Sequence, residues 1–169
     1  MIPKNLIETT ELVFDICGFQ LSNLKLEKES LAYSACQFEL DGTAVLFRLA
    51  KITPTKIGQF VTFWKRNNKG TIAPYKVADA IDFFIINAKS KDEFGQFIFP
   101  RLVLAEQGII STHLKEGKRG MRVYPPWDLP SSKQAQKTQQ WQLPYFLEIP
   151  INQPLDLEKA KNLYRLKAY

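Results

Sequence analysis

The sequence lacks several features that would assign it to a common class of protein. It contains no apolar run of about 18 residues, the length expected of a membrane-spanning helix. It has one histidine and two cysteines, and the cysteines show no CxxC spacing. No P-loop, GxGxxG, GxSxG or HExxH motif is present. The sequence therefore gives no support to the nucleotide-binding, serine hydrolase or zinc peptidase classes.

Length and composition fit one ordinary globular domain spanning residues 1–169. Hydrophobic residues make up 45% of the chain and charged residues 24%, which is typical of a domain that folds alone. Glu8, Glu11 and Asp15 interrupt the apolar stretch that a signal peptide would need. Cys17 and Cys36 lie in apolar patterns that predict burial and a reducing compartment. We expect a soluble cytoplasmic protein with no contact to a membrane; its oligomeric state is not specified.

Positive charge is concentrated in one part of the chain. The net charge is +6, yet residues 42–78 carry seven basic residues and no acidic one. Residues 1–41 carry three basic and seven acidic residues. Concentrated charge creates a field that can attract a polyanion, whereas solubility alone is better served by mixed signs.

Periodicity and turn signals predict a mixed α/β fold. Gly18 would end an N-terminal amphipathic helix, and Asp41-Gly42 is a strong hairpin signal between two strands. A charged stretch that ends at Ser30 follows the N-terminal helix, and no element is predicted in it. Helices are predicted at residues 4–17, 100–107, 132–142 and 155–166. Strands are predicted at residues 35–40, 44–50, 59–65, 81–87, 94–99 and 121–124.

Several local strings resemble the MepB family. They are AKITPTKIGQFV at residues 50–61 with WKR at 64–66, FGQFIFP at 94–100, GKR at 117–119, RVYPPWD at 122–128, and AQKTQ at 135–139 with WQ at 141–142. The resemblance implies a gene often found beside a multidrug efflux pump. It also implies a fold similar to the restriction-endonuclease core, which has a mixed central sheet flanked by helices.

A nuclease of that fold would need two acidic groups for a divalent metal and a nearby lysine. Lys65 has Phe63 where the second acidic residue is expected, and segment 42–78 offers no carboxylate. Glu39, Asp41 and Asp82 remain as candidates. The lone His113 follows a helix and is more typical of a surface group than of a base. We therefore expect no catalytic residues, no metal and no cofactor.

Basic residues interleaved with aromatic ones are the strongest functional pattern. Phosphates need charge that no carboxylate neutralises, and unpaired bases need flat apolar faces such as those of Phe60, Phe63, Trp64 and Tyr75. A strand pattern that places aromatic residues in the core and lysines in solvent is the alternative interpretation. The predicted phosphate contacts are Arg48, Lys51, Lys56, Lys65, Arg66, Lys69, Lys118, Arg119 and Arg122.

The leading hypothesis is a nucleic-acid-binding protein on an endonuclease-like core, without catalytic activity, that contacts DNA or RNA through phosphates. One alternative is a metal-dependent nuclease that uses Glu39, Asp41 or Asp82. The other is a regulatory protein-interaction module with a basic face. Trp127 either edges a binding cleft or packs over the end of the sheet, and packing is favoured. Thr138, Gln139 and Gln142 could line the same cleft, although an exposed amide face would also explain them.

Overall fold

The structure of the protein is a computed structural model, in which residues 1–165 are described. The first half of the chain contains α1 (Lys4–Thr9), α2 (Asp15–Cys17), β1 (Leu21–Leu26), β2 (Cys36–Leu40), β3 (Thr43–Leu49), β4 (Lys51–Ile52), β5 (Gln59–Thr62), β6 (Trp64–Arg66) and β7 (Ile72–Pro74). The second half contains β8 (Phe83–Lys89), β9 (Phe94–Pro100), α3 (Arg101–Glu106), β10 (Gly120–Val123), α4 (Lys133–Gln142), β11 (Phe146–Glu148) and α5 (Leu157–Arg165). No helix in residues 1–165 is long and apolar enough to cross a membrane.

A six-stranded mixed sheet forms the centre of the molecule, in the order β1-β2-β3-β8-β9-β11. Only the β3–β8 pair is parallel; the other neighbours are antiparallel. Asp41 and Gly42 both adopt positive φ in the tight turn that joins β2 to β3. This is the geometry that an Asp-Gly hairpin requires. The predicted mixed α/β class is confirmed.

Each face of this sheet buries its own hydrophobic core, because alternate side chains of a strand point to opposite faces. Phe47, Ile85 and Ile98 belong to one core, which α1, α2 and α5 cover. Leu46, Phe84 and Phe97 belong to the other. The second core is covered by α3, α4 and a three-stranded sheet in the order β10-β5-β4. The candidate site lies in this second covering layer.

The sequence patterns predicted the helices well. α1 and α2 are joined by one π-helical segment, Thr10–Phe14, and Gly18 ends α2 with φ 75°. Gly108 follows α3 with φ 70°, as predicted for its end. Ser132 caps α4 by accepting a hydrogen bond from the Ala135 amide at 3.1 Å. α5 is also confirmed, although the predicted last residue, Leu166, lies outside the described part of the chain.

The strand prediction over residues 59–65 was wrong in detail, and the sequence patterns did not indicate β1, β7 or β11. The strand predicted over residues 59–65 is divided into β5, which pairs with β10, and β6, which pairs with β7 in a separate hairpin. Phe63 lies between β5 and β6, where the chain passes from one sheet to the other, and its side chain is fully buried. The charged stretch before Ser30 contains β1, an edge strand whose side chains are mostly exposed. An exposed edge strand needs little apolar alternation, which explains why the pattern did not indicate it.

A buried arginine joins the central sheet to the layer above it. Arg48 on β3 is fully buried, and its guanidinium contacts a Glu27 carboxylate oxygen at 2.6 Å. The same group donates hydrogen bonds to the Phe47 and Thr62 carbonyl oxygens at 2.9 and 3.3 Å and to the Tyr75 hydroxyl at 3.3 Å. Burial also raises the pKa of Tyr75 to about 12, so this hydroxyl is neutral. The network therefore connects the segment after β1, strands β3 and β5, and the segment after β7.

Replacing Arg48 with Met should destabilise the fold, because it leaves the Glu27 carboxylate without its cation. We expect the free energy of unfolding in urea to fall by about 3 kcal/mol. Arg66→Met is the matched control, since Arg66 and Glu29 also form an ion pair but are 48% and 44% exposed. The control should lose less than about 1 kcal/mol. Equal losses in the two variants would contradict this account of the buried pair.

Candidate functional site

A cleft of about 430 Å³ lies between the edge of β10 and α4. A second recess of about 310 Å³ shares Lys56, Arg122, Tyr124, Ser132 and Ala135 with it, so the two form one continuous groove. We call this groove the β10–α4 cleft. Its larger part is lined by Lys56, Gln107, Ile109, Lys118, Gly120, Met121, Arg122, Tyr124, Ser132, Gln134, Ala135, Thr138 and Trp141.

The cleft is positively charged. Lys56, Lys118 and Arg122 line it, and neither part of the groove has an Asp or Glu in its lining. Within residues 1–165, none of these three basic side chains forms an ion pair. Arg122 instead donates to the Thr53 hydroxyl at 2.7 Å and to two backbone carbonyls at 3.4 Å. Neutral acceptors hold the guanidinium in place without cancelling its charge, which leaves it available to an anion.

Two glutamines of α4 fix the wall of the cleft. The carboxamide of Gln142 accepts from the Tyr124 amide at 2.8 Å and donates to the Arg122 carbonyl at 2.9 Å. It thus satisfies the open edge of β10 in the way that a neighbouring strand would. Gln139 donates to the carbonyl oxygens of Tyr124, Pro125 and Asp128 at 2.8–3.3 Å. α4 is therefore held at a fixed position beside β10.

These contacts show what the polar side chains of α4 and the ring of Trp127 do in the structure. Thr138 lines the cleft, whereas Gln139 and Gln142 hold backbone groups of the wall. Trp127 packs against the core, with its ring 5.7 Å from that of Phe146, so the packing interpretation is confirmed. Gln107 and Gln134 line the cleft and were not predicted. The glutamine-rich composition of α4 was the one signal that a polar surface lay there.

Four of the predicted phosphate contacts have acidic partners. Arg48 is fully buried against Glu27, so its prediction as a surface contact is corrected: a buried guanidinium cannot reach a phosphate. Lys65 pairs with Asp79. The remaining pairs are Arg66 with Glu29 at 2.7 Å and Arg119 with Glu116 at 3.0 Å.

Residues 42–78 contain no acidic residue, but acidic side chains from other parts of the chain lie next to them in the folded protein. Glu27, Glu29 and Asp79 all lie outside residues 42–78 and fold onto this segment. Lys51 and Lys69 stay exposed but do not line the cleft. Lys51 places its ammonium 4.9 Å from the centre of the Tyr33 ring. Of the nine predicted contacts, only Lys56, Lys118 and Arg122 meet in one cleft.

The candidate carboxylates of a nuclease cap backbone groups or join other polar contacts. Asp41 accepts from the Gln20 amide at 3.0 Å, and Asp82 accepts from the Ala44 amide at 2.9 Å. Glu39 accepts from the Asn23 side chain at 2.9 Å. In residues 1–165 there is no group of three His, Cys, Asp or Glu residues that could hold a metal ion. The geometry offers no specific support for the nuclease alternative.

The cysteines are free and buried, as their sequence patterns predicted. Burial raises the pKa of the Cys36 thiol to about 12 and that of the Cys17 thiol above its ordinary value. A thiol with a raised pKa is a poor nucleophile at neutral pH, because the thiolate is the reactive form. His113 lies in an exposed loop.

Fold and cleft together define a mixed α/β protein with a positively charged groove on one face of its central sheet. A family model described as MepB-like matches residues 27–148, more than half of the chain, and the protein therefore belongs to the MepB-like family. A crystal structure of MepB is similar to it, with 35% sequence identity and a TM-score of 0.76. That match covers 89% of this chain and 99% of the MepB chain. No curated protein matches the sequence.

Replacing Gln142 with Leu should loosen the cleft wall, since it leaves the buried Tyr124 amide and Arg122 carbonyl without partners. We expect a loss of about 2 kcal/mol in unfolding free energy and faster hydrogen exchange at the Tyr124 amide. Gln140→Leu, at an exposed position of the same helix, should change stability by less than about 0.5 kcal/mol. Unchanged exchange at Tyr124 in the Gln142 variant would show that the carboxamide does not hold the strand edge.

Proposed function

We propose that the protein binds nucleic acid through the phosphate backbone, with the β10–α4 cleft as its principal contact. The observation that carries this proposal is the meeting of Lys56, Lys118 and Arg122 in a groove that, within residues 1–165, no carboxylate lines. A fixed groove with unneutralised positive charge attracts phosphates and releases their counterions. The sequence has a net charge of +6, which adds a general attraction for a polyanion.

Polar groups in the cleft add to the attraction. Ser132, Gln134 and Thr138 line the groove beside the basic side chains and can hydrogen-bond to phosphate or sugar oxygens. Such contacts position a nucleic acid without reading its sequence. We therefore propose binding of low sequence specificity.

We further propose that the fold is a restriction-endonuclease-like core that binds without cleaving. A helical N-terminal segment, the β2–β3 hairpin and the parallel pairing of β3 with β8 support this fold. Asp41 and Asp82 accept backbone hydrogen bonds, which gives both a structural use. The two free, buried cysteines support a reducing, cytoplasmic location.

Lys118→Gln tests the cleft directly. It should weaken binding of a short single-stranded oligonucleotide and reduce the log-log dependence of affinity on salt by about 0.7, the value for one phosphate contact. Fluorescence anisotropy at several salt concentrations measures both effects. Lys159→Gln removes the same charge from α5, on the opposite face of the sheet, and should leave affinity and slope nearly unchanged.

Two outcomes would contradict the proposal. A wild-type affinity that does not depend on salt would exclude phosphate contacts as its source. Equal effects of the two substitutions would show that general charge, and not the cleft, attracts the nucleic acid.

The proposed absence of catalysis is tested by incubating the protein with labelled single- and double-stranded DNA and RNA in magnesium. We expect each substrate to stay intact, because no cluster of metal ligands is present in residues 1–165. Cleavage that is lost in Glu39→Ala or Asp82→Ala would establish the metal-dependent nuclease in its place.

A further inference from the structure

A row of three side chains crosses the outer face of the β10-β5-β4 sheet. Phe60 on β5 lies opposite Lys51 on β4 and opposite Arg122 on β10. The neighbouring residues on β5 and β10, Val61 and Met121, point the other way into the core. Residues directly opposite each other on neighbouring strands share one face of the sheet. Lys51, Phe60 and Arg122 therefore form an outward-facing row with an aromatic ring between two cations.

Phe60 has a fixed position but does not belong to either hydrophobic core. Its ring lies over Gly120, where an added Cβ atom would come within 2.6 Å of the Phe60 Cζ atom. The Tyr33 ring meets it edge to face, with centroids 6.4 Å apart and an angle of 73°. The Phe60 side chain remains half-buried. Gly120 and Tyr33 thus hold a large aromatic ring at the surface, where burial in a core does not explain its presence.

The two cations beside the ring keep their charge. Within the described residues neither Lys51 nor Arg122 forms an ion pair. Arg122 belongs both to the row and to the lining of the β10–α4 cleft. The row is therefore a direct continuation of the positively charged groove.

We propose that this row binds an unpaired nucleotide, whose base stacks on Phe60 while Lys51 and Arg122 contact the phosphates on either side. The proposal rests on the proposed function and specifies its ligand as single-stranded nucleic acid. Every base has a π-face, so an aromatic side chain in a basic groove accepts any base sequence. A base in a duplex is stacked on its neighbours and cannot use this ring without leaving the stack.

The experiment compares two ligands of equal charge, an oligothymidine of about ten nucleotides and an abasic sugar-phosphate oligomer of the same length. The wild-type protein should bind the oligothymidine about tenfold more tightly, which is the effect of stacking one base. Phe60→Leu should remove this preference by weakening oligothymidine binding about tenfold while abasic binding stays the same. Phe60→Tyr keeps an aromatic ring and should preserve the preference.

Lys118→Gln distinguishes the stacking proposal from the phosphate-binding proposal on which it rests, because this substitution should weaken the binding of both oligomers equally. A thermal unfolding curve like that of the wild type would show that the fold of Phe60→Leu is intact. If Phe60→Leu does not fold, the affinities of the two oligomers are compared in the wild type and in Phe60→Tyr instead. Equal wild-type affinity for the two oligomers would overturn the stacking proposal and leave phosphate binding in the cleft standing. Absence of binding to either oligomer at low salt would overturn both.

Discussion

The buried ion pair between Arg48 and Glu27 is the constraint on which the rest of the structure depends. A guanidinium in a protein interior is tolerated only when its charge is balanced and its donors are satisfied. Here the balance comes from Glu27, and the donors reach the carbonyl oxygen of Thr62 and the hydroxyl of Tyr75. These partners lie on segments far apart in the sequence. With Glu27 balancing its charge, Arg48 donates to the Thr62 carbonyl of β5, and this bond ties the small β10-β5-β4 sheet, and with it the cleft, to the central sheet.

The same pairing redistributes the charge that the sequence concentrates in residues 42–78. Glu27, Glu29 and Asp79 approach from outside the segment and neutralise part of it. The unpaired charge that remains near the cleft comes from Lys56 in this segment and from Lys118 and Arg122, which are far from it in sequence. Folding thus brings only some of the basic residues together in the proposed binding surface. The side chains of Gln139 and Gln142 then hold the wall of the groove in place by hydrogen bonds to its backbone.

Much of the fold could be predicted from the sequence because it depends on local signals. The Asp41-Gly42 turn, the Ser132 cap and the glycine that ends the first helical segment act within a few residues. The candidate site could be predicted only in part. Arg48 has the same charge as Lys56, and no local pattern separates a buried arginine from an exposed lysine on or beside a strand. That difference arises from Glu27, whose approach depends on the pairing of β1 with β2.

Mapping bound single-stranded oligonucleotide by NMR chemical-shift changes tests the central claim most directly. The account predicts that the largest changes fall on the amides of residues 51–60, 118–124 and 132–138, and that α5 on the opposite face stays unaffected. Changes centred on α5, or on the hairpin of β6 and β7 around Lys69, would place the bound strand elsewhere and contradict the assignment of the β10–α4 cleft as the binding site.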